Sequence, residues 1–449
     1  MEGTIPYEFV SATALYLEEL RLNTNQLYGT IPSDDDDDND NDITASSSAS
    51  LWSKLTNLKI LYLANNQLSS TIPSSLWNHL VLNTHNRSML EVLSLGSNML
   101  TGSIMPIRST MTMIMNTNSN NSNNNNTTTI TKSSSSFLSK LRFLDLSYNF
   151  LTGNIEFGGT TSLLLRLPNL EHLHLSHNSL SGSISSMMMA NNNALVSSSK
   201  NNFTTTTTSE LQLRTMEIDH NLFSGTIPQD IIGLHLTKLE HFIIDENSFS
   251  GTLDKFVTSF IYYGSDDDDS TPNTANITTT TTTSPTSYTS SNIQTLSLRG
   301  NDFSGTIPTT EIGLLSTSLK YLALSRNYGL SGTLPLTTTT GIGLLLTTNL
   351  EHLYLSELPK VTVIINTTLQ HELLSIPSSS LITLELCGET NVVVDIANDG
   401  DDNGNNNDLN SVCSTGSFVM MMEDRGGTIM YGDCDDDNDI QCDCCTCCQ

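Results

Sequence analysis

One pattern, L-x-x-L-x-L-x-x-N-x-(L/F)-x-G-x-(I/L)-P, constrains this chain more than any other feature. It returns nine times in recognisable form, as in LEELRLNTNQLYGTIP from Leu17, LKILYLANNQLSSTIP from Leu58, LEHLHLSHNSLSGSIS from Leu170 and IQTLSLRGNDFSGTIP from Ile293. Two frayed copies, LEHLYLSELPK from Leu350 and LITLELCGE from Leu381, keep the apolar positions and lose the Asn. A recurring unit of this size cannot bury its apolar residues alone, but stacked units bury them against one another. The chain therefore reads as a solenoid rather than a globule.

Each position in the pattern has a physical task. The L-x-L alternation has the period of a strand with one buried face, so Leu296 and Leu298 are expected to point inward and Ser297 outward. Asn301 and its equivalents (Asn25, Asn66, Asn98, Asn149, Asn178, Asn221, Asn247, Asn327) follow the strand, where an amide both donates to and accepts from turn backbone. The Gly that follows tolerates positive φ, and the Pro ends the unit by removing a donor.

This pattern is that of the leucine-rich repeat, and the G-x-I-P ending resembles the plant-type subclass of receptor-like ectodomains and secreted inhibitors. The resemblance runs from Leu17 to Leu386 with gaps. It implies an α/β, right-handed solenoid (L domain-like) with a curved parallel sheet on the concave side and an irregular or short helical convex side. It also implies work as a binding module on the concave sheet. The opening MEGTIP matches the tail of a repeat, so residues 1–16 are expected to be the remnant of a truncated N-terminal repeat, with the solenoid over 17–397.

Between the G-x-I-P box and the next L-x-x-L fall low-complexity insertions near 33–50, 107–136, 185–209 and 265–292, rich in Asp, Asn, Ser and Thr. Such runs bury too little apolar surface to offset the entropy of ordering, so they are expected to be disordered loops on the convex side. Asn-x-Ser/Thr acceptor sites occur at Asn86, Asn120, Asn125, Asn126, Asn202, Asn276 and Asn366. A formal net charge of -29, with only 18 Lys and Arg, excludes nucleic acid as a partner class, because phosphate binding needs clustered cations. No apolar run in this chain is long enough for a transmembrane span.

Aligning the repeats places a concentrated group of titratable side chains on the outward face of successive strands: His172, His174, His177, Glu217, Asp219, His220, His241, Asp245 and Glu246. Three readings stay open for it: a solvated polar face, a ligand-binding patch whose His residues confer pH dependence, and a zinc-type metal site. A column alignment alone does not establish convergence, so no metal ligand and no cofactor is assigned. Tyr62, Phe143, Tyr148, Tyr321 and Tyr354 are candidate aromatic anchors on the same face or ordinary cross-strand packing.

Residues 398–449 read as an acidic linker and a Cys-rich tail. DGDDNGNNNDLN, from Asp399, begins like a calcium loop but ends in Asn410 where a bidentate Glu is required. Cys387, Cys413, Cys434, Cys442, Cys444, Cys445, Cys447 and Cys448 are disulfide candidates if the compartment is oxidising. Alternatively, the C-x-x-C spacings of the tail suit a thiolate metal cluster. The tail is also similar to the endings of algal leucine-rich-repeat proteins. None of the hydrolase, metalloprotease, phosphate-loop or dinucleotide motifs occurs. The expectation is a non-catalytic module, extracellular or at the cell surface, binding a protein, peptide or glycan. The alternative is an intracellular scaffold whose tail binds metal.

Overall fold

The computed structural model describes residues 1–6, 16–32, 51–77, 88–104, 139–157, 162–185, 211–228, 232, 235–263, 288–289, 292–315, 318–335, 350–366, 383–386, 391–395, 412–413, 418–423 and 427–432. They divide into two units. The smaller comprises Met1–Phe143 with Asn149–Asn154, the larger Leu144–Tyr148 with Ile155–Gln449.

Both units stack coils, and in both each coil contributes one strand to each of two parallel sheets. In the smaller unit, the L-x-L segments form Glu19–Arg21, Ile60–Tyr62 and Val92–Ser94, with Leu20 opposite Leu61 and Leu61 opposite Leu93. The segments after the Asn form a second sheet from Glu2–Gly3, Gln26–Thr30, Gln67–Thr71 and Met99–Ser103. MEGTIP thus pairs as the tail of a repeat does. Trp52 and Trp77 are fully buried, and the Trp52 indole donates to the Pro32 carbonyl at 2.9 Å.

In the larger unit the first sheet runs His172–His174, Thr215–Glu217, His241–Ile243, Thr295–Ser297, Tyr321–Ala323, His352–Tyr354 and Thr383–Leu386, all parallel. The second includes Leu222–Thr226, Ser248–Thr252, Asp302–Thr306, Gly329–Pro335 and Lys360–Asn366. Leu296 and Leu298 are fully buried, as the alternation requires. So are Phe242, in the column of Leu296, and Phe223, Phe249 and Phe303, in the L/F column after the Asn. Phe256 joins this core from the short helix Leu253–Thr258, with its ring 5.5 Å from that of Phe303 and 6.1 Å from that of Phe242.

The Asn column links one coil to the next. Asn301 Oδ1 accepts the Phe249 amide at 2.9 Å, while Nδ2 donates to the carbonyls of Ile244, on the preceding coil, and Leu298, on its own. Asn66, Asn98, Asn221, Asn247 and Asn327 repeat this arrangement. The amide therefore satisfies buried backbone on two coils at once.

Three features differ from expectation. The segment after the Asn is a strand, where only a turn was read. The base of the 265–292 insertion is closed by antiparallel pairing of Tyr262–Tyr263 with Tyr288–Thr289, where no secondary structure was expected. Most of the four insertions otherwise lies outside the described residues. Within 398–449, Val412–Cys413, Phe418–Glu423 and Gly427–Gly432 add antiparallel strands to the ends of both sheets, so this region is more than an acidic linker. The acidic loop at 399–410, Cys387, Cys434, Cys442, Cys444, Cys445, Cys447 and Cys448 lie outside the described residues, and of Cys413 only the strand is described.

Candidate functional site

The nine residues singled out from sequence all lie in the larger unit, on or just after consecutive strands of the first sheet. Parallel pairing sets His172 beside Thr215 and His174 beside Glu217, then Thr215 beside His241 and Glu217 beside Ile243. The side chains then choose partners across these strands and form neighbouring groups rather than one convergent cluster.

In the first group, His174 Nδ1 and Glu217 Oε2 are 2.6 Å apart. Flanking them, His172 Nδ1 shares a hydrogen bond with the Thr215 hydroxyl, and His241 Nδ1 does the same with Thr295, each at 3.0 Å. Burial pushes the His172 imidazolium pKa down, and the charge of His174 adds to this.

The second group lies one step along the chain. The rings of Tyr148, His177 and His220 stack in sequence, with centroids 4.2 Å and 4.1 Å apart. Asp219 sits under the two imidazoles, 3.0 Å from His220 Nδ1 and 3.8 Å from His177 Nε2, and its other oxygen accepts the Ser176 hydroxyl. Burial lowers the His177 pKa, and the neighbouring His220 lowers it further against the pull of Asp219. Ligand atoms of His177, Asp219 and His220 all lie within 4.8 Å of one another. Among the predicted residues, these three are the ones brought into metal-ligating proximity.

The third group is built around two acids. Asp245 accepts the Ser297 hydroxyl at 2.7 Å and the Arg299 amide at 2.8 Å. Burial still dominates, and its pKa is pushed up to about 6. Glu246 meets Arg299 and Arg326, and Arg326 continues to Glu357, which also accepts from the Tyr328 hydroxyl at 3.1 Å. Burial raises the Glu357 pKa, but the bonds from Arg326 and Tyr328 outweigh it and hold it below the usual carboxylate range. Beyond this chain of charges lies an aromatic patch. Tyr321 is 5.2 Å from Tyr354 and 5.9 Å from His352, ring to ring. Burial, then Tyr354, pushes the Tyr321 phenol up to about 12.

Ser297 corrects one expectation. It occupies an outward position yet is only 2% exposed, because the larger Asp245 and Tyr321 cover it. Ser94 and Ala323 are also buried. Small residues on this face are floor rather than contact surface.

The geometry agrees with comparisons to known proteins. The profile described as Leucine Rich Repeat matches residues 57–79, 169–190 and 292–311. Receptor-like protein 41 and Receptor-like protein 39 of Arabidopsis thaliana are each 28% identical over 210 residues, 47% of this chain and 17% of theirs. The crystal structure of a TDR receptor superposes with a TM-score of 0.50 at 19% identity, covering 88% of this chain and 46% of that one. The chain carries leucine-rich repeats of the plant type. Its match spans only about a sixth of the length of these curated relatives.

Within this leucine-rich-repeat frame, several side chains that shape the site were not picked out: Ser176, Thr215, Thr295, Ser297, Arg299, Arg326 and Glu357. A signal was present. The same two columns that hold Asp219 and His220 hold Arg299, Ser325, Arg326, Ser356 and Glu357 in later repeats.

Proposed function

We propose that the chain is a non-catalytic recognition module that binds a peptide or protein segment along the outward face of the first sheet in the larger unit. We further propose that it works outside the cell or at its surface. The observation that carries the reading is the way this face is held. His174, Glu217, Asp245 and Tyr321 are part-exposed, and each is fixed by a partner on a neighbouring strand. Side chains fixed before binding lose less entropy on contact, and aromatic residues beside charged ones supply the usual anchors. The naming of the relatives as receptor-like proteins supports the same reading, as do the absence of any catalytic motif and the repeat subclass.

The test uses the full chain secreted from a eukaryotic host with a supplied leader. A displayed random-peptide library is selected on it. Recovered peptides are then measured against a face variant (His174→Ala, Glu217→Ala, Tyr321→Ala, Tyr354→Ala) and a second-sheet control (Thr226→Ala, Ser250→Ala). Binding lost in the first and kept in the second supports the reading; binding that survives in the face variant overturns it. Intact mass before and after reduction and deglycosylation tests the compartment. Eight oxidised cysteines with attached sugar are expected, and free thiols without sugar would count against the extracellular assignment.

A further inference from the structure

We propose that His177, Asp219 and His220 form a binding site for a zinc-type divalent cation, independent of whether the sheet face binds a peptide. The argument begins with distance. Ligand atoms on one tetrahedral ion with bonds of about 2.0–2.1 Å lie roughly 3.3 Å apart. His220 Nδ1 and His177 Nε2 stand 3.0 Å and 3.8 Å from the same Asp219 oxygen, which brackets that edge, and all three ligand atoms fall within 4.8 Å. The two rings stack face to face with centroids 4.1 Å apart, so both imidazoles must turn out of this stack to aim their nitrogens at one ion.

The surroundings favour this. Ser176 holds the second Asp219 oxygen, which fixes the carboxylate as outer-sphere partners do in metal sites. The Asp219 side chain is only 15% exposed, whereas His177 and His220 are 35% and 47% exposed and leave an approach from solvent. On binding through Nδ1, a neutral His220 would carry its ring proton on Nε2, so the ion takes the place of the hydrogen bond between His220 and Asp219. Two imidazoles and one carboxylate suit zinc and its transition-metal neighbours. Calcium and magnesium prefer all-oxygen cages. Three protein ligands leave a further coordination position, open to water or to a carboxylate or imidazole of an incoming molecule.

Zinc stoichiometry alone does not locate the ion in a chain with acidic runs and eight Cys. The readout is therefore residue by residue: histidine modification by diethyl pyrocarbonate on the full chain, mapped by peptide mass, with and without zinc. Zinc is expected to protect His177 and His220 and to leave His352 reactive, while magnesium and calcium at the same concentration protect neither. His177→Asn and His220→Asn, which tolerate the positive φ of these positions, are each expected to abolish protection of the remaining histidine. Ser176→Ala is expected to raise the zinc concentration for half-protection about 10-fold. Equal modification of His177 and His220 with and without zinc in the unsubstituted chain overturns the proposal, as does equal protection by magnesium.

Discussion

Asn301 shows how much one side chain carries in this architecture. Its amide accepts the buried Phe249 N–H and donates to carbonyls of Ile244, Leu298 and Arg299. Replacing it with Ala strips the Phe249 N–H of its acceptor in a dry interior, while the carbonyls of Ile244, Leu298 and Arg299 keep Asn247, Asn327 and the Glu246 amide as donors; a buried orphaned polar group costs about 1–3 kcal/mol. Asn301→Ala is expected to destabilise the larger unit by roughly 3 kcal/mol and to speed hydrogen exchange at the Phe249 amide selectively. Asn25→Ala, where the same side chain is more exposed, is expected to cost less in the same denaturation measurement. Asp245 supplies a second test at this scale. Its pKa is raised to about 6 by burial, so between its unfolded value of about 4 and pH 6 the folded state binds the extra proton. Stability contributed by this group is therefore lost as pH rises through that window. Asp245→Asn is expected to flatten the thermal midpoint of the larger unit between pH 4 and 7, which differential scanning calorimetry would read directly. The Asn column was legible in the sequence because one residue type recurs at one position. The positive φ of the residue before it was not, since Thr24, Ser97, Tyr148, His177, Glu246 and Arg326 all adopt it and share no chemistry.

The second sheet carries a glycine at positive φ in most of its strands, and these glycines differ in how tightly they are placed. Gly182, at φ +130, lies against the backbone of Ile155, where an added Cβ would meet the carbonyl oxygen at 2.0 Å. Gly225, at φ +88, has only Ser183 Cβ nearby, at 3.8 Å. Both substitutions to Ala carry the cost of a left-handed conformation, about 1–2 kcal/mol, but only Gly182→Ala also forces a strand to move. Chemical denaturation is expected to show a clearly larger loss for Gly182→Ala, and limited proteolysis to show new cleavage near 179–183; equal losses would mean that conformation alone sets the cost. This sheet went unrecognised from sequence because L-x-G-x-I satisfies a strand period and a turn signal equally, and Gly weighs toward the turn. The strands Phe418–Glu423 and Gly427–Gly432 were obscured differently: a short apolar pair sits inside a run of acids and glycines whose composition dominates any window. The first sheet was readable because its leucines recur in every coil. The site on its outward face was readable only as columns. Whether Asp219 turns to His177, His220 or Ser176 depends on rotamers and cross-strand competition, which a column does not encode.

At the scale of the whole chain, acidic residues are concentrated in short runs as well as on the repeats. Of the 47 Asp and Glu behind the net charge of -29, 11 lie in the insertions, in runs such as Asp34–Asp38 and Asp266–Asp269, and 13 in residues 395–449. Where acids do lie on the described sheet face, Glu217, Asp219, Glu246 and Glu357 each have a His or Arg within ion-pair distance. Repulsion among these uncompensated negative charges destabilises the compact state. Salt shortens its reach from about 30 Å at 0.01 M to about 8 Å at 0.15 M. The thermal midpoint is therefore expected to rise as NaCl increases over that range and to level off above it, although the local ion pairs are weakened by the same salt. A midpoint that falls instead would show that the paired acids of the sheet face outweigh the runs, and that the acidity of this chain acts through its ordered surface.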